Sequence, residues 1–213
     1  MLAYVKEGTG KAEYRQIRGM EILSVPMPVG RAGALRRRRA WRKLCRMGIR
    51  RVISPPAFQE EAARWGIRAV EVYPLRREVW MQLLPKTGTL AQIRAEHVDA
   101  AVEQAAEVLL RRFRYLRLET GWGTEGLAQK LLRRYGLGVG GEGQAEWTIS
   151  FEGKPAERQE ICLGPDCGLW QQMIYESVEG VEDGELSEQL LCALFQSGKI
   201  KKEELQVKMV CNA

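Results

Sequence analysis

Residues 48–73 indicate the fold class most directly, because a strand, a helix and a second strand follow each other closely in the sequence GIRRVISPPAFQEEAARWGIRAVEVY. Residues 49–53 end at a Pro-Pro pair, residues 58–65 have helical spacing up to Gly66, and residues 67–73 are rich in β-branched side chains. Glycine after a helix allows the left-handed backbone that leads the chain directly into a strand. The stretch therefore predicts a β-α-β unit with parallel strands.

The same order of strand and helix continues on both sides of this stretch. Predicted strands lie at residues 20–25, 89–93, 115–118 and 137–139, and predicted helices at residues 32–47, 75–84, 96–112 and 127–135. This alternation requires right-handed crossovers between parallel strands. We therefore predict an α/β protein with a Rossmann-like, doubly wound and mainly parallel sheet.

Charge is divided unevenly along the chain. Residues 1–140 carry 27 Lys and Arg against 13 Asp and Glu, whereas residues 141–213 carry 6 against 14. Such an asymmetry marks a candidate domain boundary, and the glycine-rich residues 140–144 lie at it. We predict a Rossmann-like core at residues 1–140, to which the first 19 residues add N-terminal strands, and an acidic α+β extension at residues 141–213 packed on that core.

The acidic extension has its own pattern. Residues 146–151 alternate apolar and polar side chains, which predicts a half-exposed strand. Further strands are predicted at residues 158–163, 170–176 and 205–210, and a helix at residues 186–195. These strands would add to the edge of the sheet in antiparallel orientation.

Composition excludes several classes of protein. With 45% hydrophobic and 28% charged residues the chain belongs to the globular class, and no apolar run approaches the roughly 18 residues of a membrane span. No basic segment followed by an apolar one begins the chain, so we expect no signal peptide, no membrane association and a cytoplasmic location. Cys162 and Cys167 lack the C-x2-C spacing of a zinc knuckle, and no metal site is predicted.

One glycine pattern points to a ligand. Gly121, Gly123 and Gly126 match G-x-G-x-x-G between a predicted strand and a predicted helix. Glycines at this spacing let the backbone approach a pyrophosphate, and the helix N-terminus favours anions. Glu142, 21 residues after Gly121, is the acidic residue expected to bind a ribose hydroxyl. Together they predict a nucleotide or dinucleotide site of the NAD(P) type.

A purely structural interpretation of this turn also fits the sequence. Arg117 and Glu119 interrupt the strand before it, although a central parallel strand is usually apolar throughout. Trp122 is bulky at a position that usually holds a small residue. The glycines would then serve the packing of a strand against a helix.

Residues 36–51 form the most basic segment, with nine Lys and Arg residues. Such a cluster can contact the phosphates of a nucleic acid or acidic lipid headgroups. Only Trp41 is aromatic within it, and helical spacing buries that residue, so a stacking platform is missing. The sequence therefore favours a solvated arginine face that partly pairs with the acidic extension.

Two weaker candidates remain. The turn at residues 29–33, with Arg31 and Arg36 near a helix start, would suit an anion. His97, the single histidine, is a candidate general base. No nucleophile motif accompanies it.

These observations favour a non-enzymatic interaction or scaffold protein with a protein partner, since the fold alone implies no chemistry. The alternative is a domain that binds a nucleotide or another phosphorylated small molecule at residues 121–126. Nucleic-acid binding through residues 36–51 is the least favoured of the three. The sequence does not decide whether the chain is an enzyme.

Overall fold

The computed structural model describes residues 1–136, 139–152, 159–165 and 167–212. The chain divides into two compact units, the first formed by Met1–Glu71 and Ser177–Glu204, and the second by Val72–Glu176 and Leu205–Ala213. Each unit has helices and a mainly parallel sheet, which confirms the predicted α/β class and is consistent with a Rossmann-like fold. The described residues form two such sheets, where the sequence predicted one.

The strands are β1 Leu2–Glu7, β2 Glu13–Ile17, β3 Met20–Met27, β4 Arg51–Ile53, β5 Arg68–Ala69, β6 Gly88–His97, β7 Phe113–Trp122, β8 Trp147–Ser150, β9 Glu160–Cys162, β10 Gln171–Tyr175 and β11 Val207–Asn212. The helices are α1 Ala34–Arg46, α2 Pro56–Ala63, α3 Tyr73–Val79, α4 Ala100–Leu110, α5 Thr124–Tyr135, α6 Cys167–Trp170 and α7 Glu188–Gln196. Short 3-10 helices occupy Arg31–Gly33, Trp80–Leu83, Asp183–Glu185 and Lys202–Glu204.

The sheet of the first unit has the order β2-β3-β1-β4-β5, and only β2 is antiparallel to its neighbour. A two-residue turn joins β2 to β3, with Arg18 and Gly19 both at positive φ (50° and 72°), as a tight hairpin requires. The first 19 residues supply β1 and β2, and β1 is the central strand of this sheet. Ala3 and Val5, which share one face of β1, are fully buried, and Leu2 on the opposite face is 9% exposed, as expected of a strand covered on both faces.

Helices cover both faces of this sheet. Trp41 and Leu44 of α1 and Phe58 of α2 join one core with Val5 and Leu23. On the other face, Gln189 of α7 accepts a hydrogen bond from the backbone N–H of Ser54 at 2.8 Å, and Ser197 contacts Met20. The segment that follows residue 176 therefore completes the first unit.

The sheet of the second unit has the order β7-β6-β8-β9 and is entirely parallel. Val139 adds a parallel bridge to Leu116 on the far side of β7; residues 137 and 138 of that predicted strand lie outside the described residues. Ion pairs Lys130–Glu103 and Arg134–Glu107 join α5 to α4, so both helices lie on the same face. Strands β10 and β11 form a separate antiparallel ribbon.

Three predictions at the level of elements are wrong. The helix predicted from residue 96 begins at Ala100, where Asp99 caps it by accepting the Val102 N–H at 2.9 Å, and Glu96 belongs to β6. Strand β8 is buried rather than half-exposed, and β8 and β9 join the sheet in parallel orientation. Alternation of polar and apolar residues distinguishes two faces, but it does not show that one of them meets water.

The division of the chain also differs from the predicted boundary. Residue 140 lies inside the second unit, because β8 pairs with β6 from the preceding segment. The change in net charge therefore does not coincide with a boundary between compact units.

Candidate functional site

The glycine turn at residues 121–126 lies at the carboxyl end of β7 and opens α5. A Cβ on Gly121 would lie 2.7 Å from the carbonyl oxygen of Glu96, and Gly123 has φ of 86° with Val98 3.1 Å from its would-be Cβ. No described atom lies within 4 Å of the position that a Cβ on Gly126 would take. Close packing and backbone conformation therefore explain two of the three glycines without a ligand.

Glu142 is held in a different place. Carbonyl oxygens of Gly141 and Gly143 accept hydrogen bonds from Arg117 at 2.6 and 2.8 Å, and Gly141 packs on Tyr115. Tyr115 precedes Gly121 by six strand residues, about 20 Å. The structure does not bring Glu142 to the glycine turn. The topological switch point lies between β6 and β8, one strand away from the glycine turn. Nucleotide binding at residues 121–126 stays a prediction.

His97 and Trp122 are paired neighbours at the end of β6 and β7. Both are exposed, Trp122 to 78%. Among the described residues none makes a hydrogen bond to the His97 side chain. The geometry does not supply the orienting partner that a general base needs.

Cys162 and Cys167 are both buried. Burial, reinforced by the nearby Glu160, raises the pKa of the Cys162 thiol to about 12. The thiolate is the nucleophilic form of cysteine, and burial disfavours that form of Cys162. The described residues contain no group of three His, Cys, Asp or Glu side chains that would hold a metal ion.

A charged group within the sheet was not anticipated from the sequence. Arg94 of β6 binds the buried Glu160 of β9 at 3.1 Å and Glu119 of β7 at 3.4 Å. Gln92 and Arg94, which alternate with apolar residues over residues 90–95 of β6, were the available signal. The pairing neutralises Glu160, which is 1% exposed, and gives this group a structural role.

Helix α1 carries the most exposed charge in the first unit. Arg37 is the exception on this helix, because it binds Glu61 of α2 at 2.9 Å and the carbonyl oxygens of Pro28 and Gly30 at 3.0 and 2.7 Å. Arg37 thus occupies the turn at residues 29–33 that the sequence offered as an anion site. The other cations of α1 are exposed, and none of them binds a carboxylate of the described residues; they form what we call the basic surface, Arg36, Arg38, Arg39, Arg42, Lys43 and Arg46.

Acidic residues of the C-terminal segment neutralise other arginines. Glu185 binds Arg15 at 2.6 Å, and Glu204 binds Arg18. The predicted pairing of this segment with the arginine-rich helix is therefore not found in the described residues. Arg50 and Arg51 are also separate from the basic surface: with Arg68 they line a depression of about 580 Å³.

A cleft of about 310 Å³ lies beside the basic surface, between α1 and the β2–β3 hairpin. Tyr14 of β2 pairs in register with Leu23, and both line the cleft. Arg36 and Lys43 provide its cations, and none of the residues that line it is acidic. Because Trp41 of α1 is buried, the exposed aromatic side chain beside the basic surface comes from a neighbouring strand, which no pattern within residues 36–51 would reveal.

Comparison with models of protein families, with curated proteins and with solved structures found no match to this chain. Within the described residues, no helix has the length and apolar character needed to cross a membrane.

Proposed function

We propose that the chain is a non-enzymatic interaction protein that binds nucleic acid through the basic surface of α1. One observation carries the proposal: these six cations are solvent-exposed and bind no carboxylate of the described residues. The carboxylates of Glu185, Glu204 and Glu61 in the same unit form ion pairs with Arg15, Arg18 and Arg37 instead. A surface with uncompensated positive charge attracts a polyanion.

The dimensions of α1 suit a phosphate backbone. Its 13 residues extend about 20 Å, and duplex DNA carries one charge per roughly 1.7 Å of axis. Arginine predominates over lysine on this helix, and guanidinium groups bind phosphate in bidentate geometry. Binding would release counterions and would depend steeply on salt.

The proposal is tested by removing charge from the outward face of α1. Arg39, Arg42 and Arg46 are replaced together by Gln, and a control protein carries Lys86→Gln, Arg111→Gln and Arg133→Gln, which remove the same charge from exposed positions of the second unit. Fluorescence anisotropy measures the affinity for labelled oligonucleotides over a series of salt concentrations.

We expect the wild-type and control proteins to bind with equal dependence on salt. The α1 variant binds more weakly, and the slope of log K against log salt decreases in magnitude by about 2 to 3, one unit per lost phosphate contact. Equal binding by the variant and the control would refute the proposal, as would the absence of binding by the wild-type protein at low salt.

A nucleotide or phosphorylated small molecule at residues 121–126 is the second candidate function. Two observations favour it: α5 has no side-chain cap, and the open space at Gly126 leaves room for a phosphate near its first N–H groups. A thermal-shift series with nucleotides and sugar phosphates tests it, since a ligand at 100 times its Kd stabilises by about 2.7 kcal/mol. If none of these compounds raises Tm, this candidate fails.

A further inference from the structure

We propose that the cleft between α1 and the β2–β3 hairpin receives an unstacked base of a single-stranded nucleic acid, with the adjoining phosphates on Arg36 and Lys43. The inference rests on the proposed function and specifies its substrate as single-stranded rather than duplex. It arises from the position of the cleft, which shares these two cations with the basic surface.

The walls of the cleft suit the face of a base. Tyr14 is 54% exposed and lines the cleft together with the apolar side chains of Leu23 and Leu44. A half-exposed aromatic ring over an apolar floor is the arrangement on which bases stack in proteins that bind single strands without sequence preference. The volume of about 310 Å³ lies at the lower end of the range of small-molecule pockets and leaves room for a base.

The charges around the cleft select an anionic ligand. Arg36 and Lys43 lie seven residues apart on α1, about 10 Å along its axis, and Ala40 between them leaves the cleft open on that side. No acidic side chain lines the cleft, and neither cation binds a carboxylate of the described residues. A base in the cleft would therefore have a cation on each side for the sugar-phosphate chain.

A duplex would contact the basic surface but would leave the cleft empty. Its bases are paired and stacked, and a base enters such a site only after this stacking is broken. Single strands present unstacked bases at no such cost. The cleft therefore predicts a preference for single strands that the cations of α1 alone would not produce.

The test compares labelled oligo(dT) with its duplex with oligo(dA), by anisotropy at one salt concentration. Tyr14→Ala removes the stacking face, and Ala40→Phe fills the cleft while Tyr14 is retained. Tyr115→Ala is the matched control, because Tyr115 is another exposed tyrosine on a strand (38% exposed). Thermal melts of each variant establish that it is folded.

We expect the wild-type protein and Tyr115→Ala to bind oligo(dT) more tightly than the duplex. In Tyr14→Ala and in Ala40→Phe, the ratio of single-strand to duplex affinity falls about tenfold, as loss of one stacked base implies. A wild-type preference for the duplex, or an unchanged ratio in both folded variants, would overturn the assignment of the cleft while binding through the basic surface still stands.

Failure of the proposed function gives a different result. The variant with Arg39, Arg42 and Arg46 replaced would then bind both oligonucleotides as tightly as the control protein does. Vesicles of phosphatidylcholine and phosphatidylserine provide the comparison with an anionic membrane surface. Binding to these vesicles without binding to either oligonucleotide would overturn both proposals.

Discussion

Glycine has different roles at neighbouring positions of the turn at residues 121–126. Gly123 adopts φ of 86° and packs against Val98, whereas Gly126 lies in α5, where a Cβ would meet no described atom within 4 Å. A left-handed conformation costs a residue with a side chain about 1–2 kcal/mol. Glycine inside a helix, by contrast, is destabilising by about 0.5–1 kcal/mol relative to alanine.

Alanine substitutions at these two positions should therefore have opposite effects. We expect Gly123→Ala to lower the free energy of unfolding by about 1–2 kcal/mol and Gly126→Ala to raise it by about 0.5–1 kcal/mol. Urea unfolding followed by circular dichroism measures both. Equal urea midpoints for the two variants would contradict the backbone conformation assigned to Gly123.

At the scale of single residues, the sequence predicted positions better than roles. It correctly identified the glycine turn between a strand and a helix, but the contact between Gly121 and the carbonyl oxygen of Glu96 depends on the approach of β6, which is distant in the chain. The position of Glu142 beside Arg117 likewise depends on the path of residues 140–143. Spacing along the chain does not specify such contacts.

At the scale of elements, an ion pair joins α1 to α2. Arg37 donates to Glu61 through Nε and Nη2, at 3.0 and 2.9 Å, and Trp41 Nε1 donates to the same carboxylate at 3.2 Å. The hydrogen bond from Arg37 is the main reason why the pKa of Glu61 lies below its usual value, with the bond from Trp41 contributing and burial opposing. This pair fixes the helix that carries the basic surface.

The stability contributed by Glu61 should depend on pH. Because its folded-state pKa is below the unfolded-state value of about 4.3, the carboxylate stabilises the protein above that pH, and the contribution is lost as the pH falls through the folded-state pKa. Glu61→Gln should cost about 1–3 kcal/mol at neutral pH and progressively less in acid. Glu60→Gln, at an exposed neighbour, is the control.

Tm measured for both variants and the wild-type protein from neutral pH into acid provides the comparison. The deficit of Glu61→Gln should shrink as the pH falls below about 4, while Glu60→Gln follows the wild-type curve. A deficit that is constant over this range would indicate a packing effect unrelated to the charge.

The elements themselves were predictable wherever local signals were strong. Helix α1 ends before Gly48 and α2 before Gly66, and both glycines have positive φ (74° and 68°), as the helix-glycine-strand pattern predicted. The cleft was not predictable in this way. It requires β2 to return beside β3 and to place Tyr14 next to α1, and this pairing depends on a hairpin that hydrophobic periodicity alone does not orient.

At the scale of the whole molecule, the chain leaves the first unit at Glu71 and returns to it at Ser177. A single sequence offers little signal for such a return, since neither composition nor linker marks it. The returning segment is held within the first unit in two ways. Its Glu185 and Glu204 form ion pairs with Arg15 and Arg18, and its helix α7 has an apolar face in which Leu190, Leu191 and Leu194 are fully buried.

Burial should contribute far more than charge to the attachment of this segment. Leu191→Ala removes apolar area and leaves a cavity, at a cost of about 2–5 kcal/mol, whereas Arg15→Gln breaks solvent-exposed ion pairs that contribute little and are screened by salt. Urea unfolding of the two variants, each at low and at high salt, measures both contributions. We expect a large loss of unfolding free energy for Leu191→Ala at both salt concentrations and a small, salt-sensitive loss for Arg15→Gln.

If Arg15→Gln lowered the free energy of unfolding as much as Leu191→Ala does, or if high salt strongly destabilised the wild-type protein, electrostatic attraction would be the main cause of attachment.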